Sequence, residues 1–380
     1  MTSVVITGAG AASCLGAGID AMWNGMVAGL SAPRPVPDAD ARFAHPGMYL
    51  VPDEAAGATA PSAARLGLTA AVEALANAGL ALEPDAPAAV VLGTGMGESA
   101  AMERRRALGS VPSDDDPLFA SAALMAAELA VSGPNLTISN ACAAGSFAIA
   151  AAADLIRSGQ ADVAIAGGTE AYSRVALGCF NRLGAVDPLR CRPFSADRAG
   201  TVFGEGAAVL VLESAEHARR RGATPWASVD GIGWSCDAHH ATAPEPEGAQ
   251  IRRAVDDALA HAGIDADRIA AVIPHGTGTE LNDEVESRVI GGLLAERPPA
   301  YSLKALLGHT GGAAGALAAA AAVLMLRHGQ VPANVDVGPL EAGLGIRLSG
   351  EPVPLGDGPV LVNAYAFGGN NCSLLIGRAS

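Results

Sequence analysis

Four side chains in this sequence have the chemistry of a covalent acyl-transfer site. Cys142 stands in the run ISNACAAGSF, His275 in IPHGTGT, and Lys304 and His309 together in SLKALLGHTGGAAG. An apolar run over 136–139 leads into Cys142 and an Ala-rich stretch follows, so the pattern predicts a thiol at a helix N-terminus. Free N–H groups and the helix dipole stabilise a thiolate there. A buried structural cysteine is the ordinary alternative, and it is the reading for Cys14, Cys179, Cys191, Cys236 and Cys372. The strand–Cys–helix setting makes Cys142 the candidate nucleophile. His275 follows a predicted strand over 270–273 and precedes Gly-Thr-Gly-Thr, a loop position of the kind that carries function. Thr277 and Thr279 suit hydrogen bonds to a polar substrate arm, or equally to a turn. The run lacks Walker and Rossmann spacing, which argues against a phosphate cradle.

Lys304 is the only lysine in 380 residues; arginine serves elsewhere. A compact ammonium kept beside a histidine points to a site that a planar guanidinium would not fill; a stray residue left by composition bias is the alternative. Asp283 and Glu286 follow His275 by a short helical step, and a carboxylate there could pair with Lys304; an ordinary surface carboxylate is the alternative. Phe367 opens FGGNN, whose glycine turn can direct N–H groups into a cavity as oxyanion donors. Core packing of Phe367 is compatible with that role. A thiolate can hold an acyl group as a thioester, and two imidazoles can stabilise a developing enolate oxygen. Together they suit Claisen-type carbon–carbon bond formation.

The elements that must position these groups are α/β. Apolar strands alternate with Ala-rich helical stretches along the chain, which predicts largely parallel sheets. Half the residues are hydrophobic, 17% are charged and the mean hydropathy is +0.30, so a disordered chain is excluded. A net charge of −15 argues against nucleic-acid binding. Six cysteines without a C-x-x-C pair exclude a disulfide scaffold and a zinc ribbon, no metal site is expected, and a reducing cytoplasm fits. No signal peptide is read at the N-terminus. Residues 311–326 carry no charge, yet fall short of a strongly apolar membrane span, so a buried core helix is expected.

The sequence repeats. ALANAGL (74–80) leading to AAVVLGTGMGE (88–98) returns as ALAHAGI (258–264) leading to AAVIPHGTGTE (270–280). Residues 143–160 return as 313–330, and 203–213 as 367–377, in the same order. The inference is a duplicated unit, residues 1–214 and 225–380, whose halves form one compact body about a pseudo-twofold axis. Cys142 then faces Gly312 across the duplication, His309 faces Ser139, and His275 falls near Leu92. Positions that break an internal symmetry are candidates for chemistry; drift after duplication is the alternative.

With these motifs, the chain resembles the β-ketoacyl-acyl carrier protein synthases, in the elongating fatty-acid and type II polyketide branch. The likeness runs from VVITGAGAASCLG (4–16) to AFGGNNCSLLIG (366–377), including ADVAIAGGTEA (161–171) and the RPF, DR and GEGA blocks over 192–207. It implies a thiolase-like fold of duplicated α/β halves in five layers, α-β-α-β-α, usually dimeric. It implies that Cys142 accepts the acyl group, that His275 and His309 stabilise the enolate formed by decarboxylation of malonyl-carrier protein, and that the N–H groups of Cys142 and Phe367 hold the oxyanion. Lys304 would organise charge around His309 and Glu286, with Asp283 in support. Thr277 and Thr279 would meet the phosphopantetheine arm of acyl carrier protein, and no permanently bound cofactor is implied. The partner subunit would be a second copy or a chain-length-factor-like chain.

The chain also departs from the family's pattern. Thr201 stands where relatives carry an aromatic near the acyl pocket, which it would share with Met96, and Phe367 would gate its mouth. Ala366 and Asn370 replace the Gly and Thr of housekeeping members. These departures favour a polyketide or polyene pathway over routine fatty-acid elongation. An inactive chain-length factor would lack Cys142, a thiolase would lack the second-half set, and a Rossmann protein would leave the motifs unexplained. A non-enzymatic scaffold would leave the residue set without a purpose. An acidic chain that meets an acidic carrier needs a local basic patch, expected at Arg104, Arg105 and Arg106 or at Arg190 and Arg192.

Overall fold

The structure is a computed structural model that describes residues 2–38, 40–52, 62–82, 88–107, 109 and 120–379. The acidic stretch 110–117 lies outside the described residues. Strand Val4–Ser13 (β1) is buried along its whole length and begins the first half. Its other elements that build or flank the site are helix Ala63–Ala78 (α1), strand Ala88–Gly93 (β2), strand Asn135–Ile138 (β3), helix Ala144–Arg157 (α2), strand Val163–Glu170 (β4), helix Arg174–Arg182 (α3) and strand Gly206–Ser214 (β5). The second half runs through strand Ala227–Cys236 (β6), helix Ala249–Ala262 (α4), strand Ala271–Ile273 (β7), helix Glu280–Leu293 (α5), helix Ala314–His328 (α6), strand Val360–Tyr365 (β8) and strand Asn370–Gly377 (β9).

The strands hydrogen-bond in the order β7-β8-β9-β6-β1-β5-β4-β2-β3. The halves join where β1 meets β6 through two residue pairs, Val5 with Ser228 and Ile6 with Ala227. The sheet is mixed, which corrects the expectation of largely parallel strands. β2 runs parallel to β3 and β4, and β7 to β8, whereas β1, β5, β6 and β9 pair antiparallel with their neighbours. The reason is local in the second half: only residues 366–369 separate β8 from β9, and so short a connection permits only an antiparallel hairpin.

Helix α1 packs on β1, β4 and β5; α4 packs on β6 and β9 with α5 against it. Helices α2 and α6 touch each other and strands of both halves, so they form the central layer of the expected α-β-α-β-α arrangement. The repeat is visible in the packing. Gly8 and Gly10 bring the β1 backbone against Ala74 and Ala70 of α1, and Gly231 and Gly233 bring β6 against Ala258 and Ala254 of α4. A methyl group at any of the four would overlap a helix carbonyl, which is why these positions are glycine. The span Gly311–His328 is apolar enough to cross a membrane, but 83% of it is buried inside the protein. A helix covered on every side needs no polar face.

Candidate active site

Strand β3 ends at Ile138, and the chain then tightens into a 3-10 turn, Ala141–Ala143, before α2 begins at Ala144. Cys142 lies in the middle of that turn, one step ahead of the helix expected to start there. Ala141 adopts φ 47°, the left-handed region that non-glycine residues avoid at a cost of order 1–3 kcal/mol. The strained residue sets the thiol at the meeting point of two cavities. Burial pushes the Cys142 thiol up to about 11, Lys304 draws it down and Glu170 pushes it up again. Desolvation thus opposes the helix terminus, which favours a thiolate.

The second half repeats the 3-10 turn at Gly311–Ala313 ahead of α6. Gly312 takes the place of Cys142, and its N–H donates to Glu170 Oε2 over 2.7 Å. A side chain there would overlap the Thr94–Gly95 backbone. Only one of the two duplicated turns has room for a nucleophile.

His275 follows β7, and α5 secures it from below. The two carboxylate oxygens of Glu286 accept the N–H groups of His275 and Gly276, each over 2.7 Å. Asp283 accepts from Phe194 N (2.8 Å) and Thr277 N (2.9 Å). Lys304 Nζ donates to the His275 carbonyl oxygen and lies 3.3 Å from His275 Nδ1. The carboxylates expected to pair with Lys304 directly are thus spent on backbone N–H groups, and Glu286 acts on the ammonium only through space. An ammonium at Nδ1 leaves the His275 proton on Nε2, so the neutral ring can donate a hydrogen bond. The His275 and His309 rings meet edge to face with centroids 5.5 Å apart. Burial, reinforced by Lys304, holds both imidazoles well below their ordinary range. Burial likewise lowers Lys304 and raises Glu286 and Asp283.

Two cavities share Cys142, Phe180 and Phe367. The larger, about 290 Å³, is lined by His275, His309, Thr277, Thr279 and Thr201. The smaller, about 130 Å³, is lined by Met96, Glu170, Leu177 and Phe203. Thr201 and Met96, expected at one pocket, therefore line different cavities: the 201 backbone is tied to Ala185 and Asp187, on the side of the larger one. Phe367 is 36% exposed and stacks on Phe180 with centroids 5.2 Å apart, at the boundary of both. Thr277 and Thr279 hydroxyls bond each other over 2.8 Å. Among the described residues no cluster of His, Cys, Asp and Glu could hold a metal ion.

Three lining residues escaped the sequence reading. Glu170 collects the N–H groups of Gly95, Met96 and Gly312 and the Thr94 hydroxyl; an acid ending an apolar strand was the available signal. Phe180 and Phe203 belong to the seven phenylalanines of an aromatic-poor chain. That scarcity hints at special use, but nothing local pairs residues 180, 203 and 367.

A family model described as "Beta-ketoacyl synthase, N-terminal domain" matches residues 1–218, and "Beta-ketoacyl synthase, C-terminal domain" matches 226–338. The chain is 38% identical to the chloroplastic 3-oxoacyl-[acyl-carrier-protein] synthase II of Arabidopsis thaliana, over 67% of this chain and 49% of that protein, so the match spans about half of that relative. It is 33% identical to 3-oxoacyl-[acyl-carrier-protein] synthase 2 of Coxiella burnetii, over 99% of this chain and 98% of that one. Among solved structures, the ishigamide ketosynthase/chain length factor superposes over all of both chains with a TM-score of 0.90 and 35% identity.

Proposed function

The chain belongs to the β-ketoacyl synthase family, and on that premise we propose that it catalyses decarboxylative condensation of malonyl-acyl carrier protein with an acyl group held on Cys142. The observation that carries this reading is the convergence of Cys142, His275 and His309 on one cavity. Cys142 Sγ attacks the acyl-pantetheine thioester; a new C–S bond forms and the pantetheine thiol leaves with the cysteine's proton. Malonyl-carrier protein then loses CO2, and the electron pair of the broken C–C bond passes into an enolate. Neutral His275, with its proton on Nε2, and His309 donate to the enolate oxygen. The enolate carbon attacks the Cys142 thioester, whose oxyanion the N–H groups of Cys142 and Phe367 hold. The C–S bond to Cys142 breaks and the nucleophile is restored.

The larger cavity suits the pantetheine arm, with Thr277 and Thr279 along it, and the smaller, apolar one suits the acyl chain. Residues 1–214 and 225–380 act as halves of one catalytic body. Strand β3 ends the ladder and Leu136 on it is exposed, which suits pairing with a second subunit, either a copy or a chain-length-factor-like chain. For carrier docking the candidates are Arg190, the exposed Arg105 and Arg106, and Arg192, which is bound to Asp187 over 2.7 Å; the Arg104 side chain lies outside the described residues. Six free thiols fit a cytoplasmic setting. Ala366 and Asn370, which replace the Gly and Thr of housekeeping members, support a polyketide or polyene pathway over fatty-acid elongation; the full-length likeness extends both to a 3-oxoacyl-[acyl-carrier-protein] synthase 2 and to a ketosynthase/chain length factor and does not choose between them. The direct test is mass analysis of carrier-bound products after the protein is mixed with acyl- and malonyl-carrier proteins. A β-ketoacyl product two carbons longer supports the proposal; unchanged carriers overturn it.

Lys304→Arg is expected to lower turnover by about two decades, because a planar fork cannot reach the His275 carbonyl and Nδ1 from the same buried site, and small misplacements cost that much. Steady-state condensation rates check this; wild-type turnover would reduce the lone lysine to an accident of composition.

The pH dependence has a definite sign. The neutral imidazoles are the working form, and burial lowers the pH at which they protonate. Decarboxylation is therefore expected to stay level from pH 8 down to pH 6, where an ordinary imidazole would have lost about three quarters of its neutral form. A decline centred near pH 6.5 in the CO2-release rate would contradict the burial argument.

A further inference from the structure

The backbone of His309 is fixed on both sides: its N–H donates to the Val202 carbonyl over 2.7 Å and its carbonyl accepts from Gly204 N over 3.0 Å. Phe203 lies between those two residues and faces His309 as a parallel bridge partner. The Phe203 ring stacks on the imidazole with centroids 5.7 Å apart and planes 9° from parallel. His309 Nδ1 is buried and finds no hydrogen-bond partner among the described residues. His275 is held through Nδ1 by Lys304, whereas the orientation of the His309 ring rests on its ring contacts. Phe203 also walls the smaller cavity beside Cys142. Phe180 meets it edge-on at 4.6 Å between centroids, and Phe367 stacks on Phe180. We propose that Phe203 is a positioning residue that orients the His309 imidazole, and that it makes this orientation depend on what fills the smaller cavity.

This inference rests on the condensing function proposed above and deepens it. An acyl chain in the smaller cavity meets Phe203, which lines it, and the imidazole stacked on that ring follows. Decarboxylation is then keyed to the presence of an acyl group rather than running without one. Stacked aromatic rings favour one mutual orientation over others, so the ring contact can hold the imidazole in place.

The test compares two steps in the same protein: acyl transfer to Cys142, read by intact mass, and CO2 release from malonyl-carrier protein by the acylated enzyme. Phe203→Leu and Phe203→Met both keep apolar volume and remove the flat ring, so one folded variant suffices; Phe203→Tyr keeps the ring. The expected result is that CO2 release falls about tenfold more than acyl transfer in the Leu and Met variants, and that the ratio returns to within about twofold of wild type in Phe203→Tyr. Equal loss of both steps, or no change in their ratio, would overturn the positioning role. Wild-type protein that neither takes up acyl groups nor releases CO2 would instead remove the condensing function itself.

Discussion

Cys142→Ala is expected to abolish condensation, by about 10⁴-fold or more, while the fold survives. The loss is large because no other described thiol lines either cavity. The fold survives because alanine is smaller than cysteine and the turn is otherwise made of alanines, Ala141 and Ala143. Product formation and thermal unfolding, measured on the same preparation, check both halves of the statement. Condensation at near wild-type rate would remove Cys142 from the mechanism, and loss of folding would recast it as a structural residue.

The second large effect concerns the histidines. His275→Ala and His309→Ala are each expected to lower CO2 release by about 10²–10³-fold, the usual consequence of deleting one donor to a developing oxyanion. Transfer of the acyl group to Cys142 should fall less in both. His275→Ala carries an added penalty, because it leaves the Lys304 ammonium, already destabilised by burial, with the carbonyl alone. Single-turnover acyl uptake measured beside CO2 release separates the steps. A larger loss in acyl uptake than in CO2 release would assign the histidines to activation of the thiol.

The residues that the structure brings together, Cys142, His275, His309 and Lys304, were legible as a set because each stands in a local pattern that physical chemistry interprets directly: a strand end, a glycine turn, a helix start. The duplication was legible for the same reason, and its packing recurs as Gly8 and Gly10 on α1 and Gly231 and Gly233 on α4. What stayed hidden depends on contacts between distant segments. Residues 180, 203 and 367 stack only because α3, the stretch before β5 and the β8–β9 turn converge. Thr201 and Met96 separated into two cavities for a related reason: a motif shows that a residue is near the site, but not which side of the nucleophile it faces. Burial at Cys142, a tertiary property, opposes the local helix terminus and leaves no mark in the local pattern. That the carboxylates near Lys304 are taken up by N–H groups of the loop they cradle, and act on the ammonium through space, left no mark in the local sequence.

The most direct measurement of the central claim is a single turnover. Protein carrying one acyl group on Cys142, confirmed by peptide mass, is mixed with malonyl-carrier protein, and three quantities are followed together: acyl group lost from Cys142, CO2 released, and β-ketoacyl-carrier protein formed. The account predicts that the three rise and fall one to one. Acyl loss as free acid without CO2, or CO2 release without transfer of the acyl group from Cys142, would contradict it.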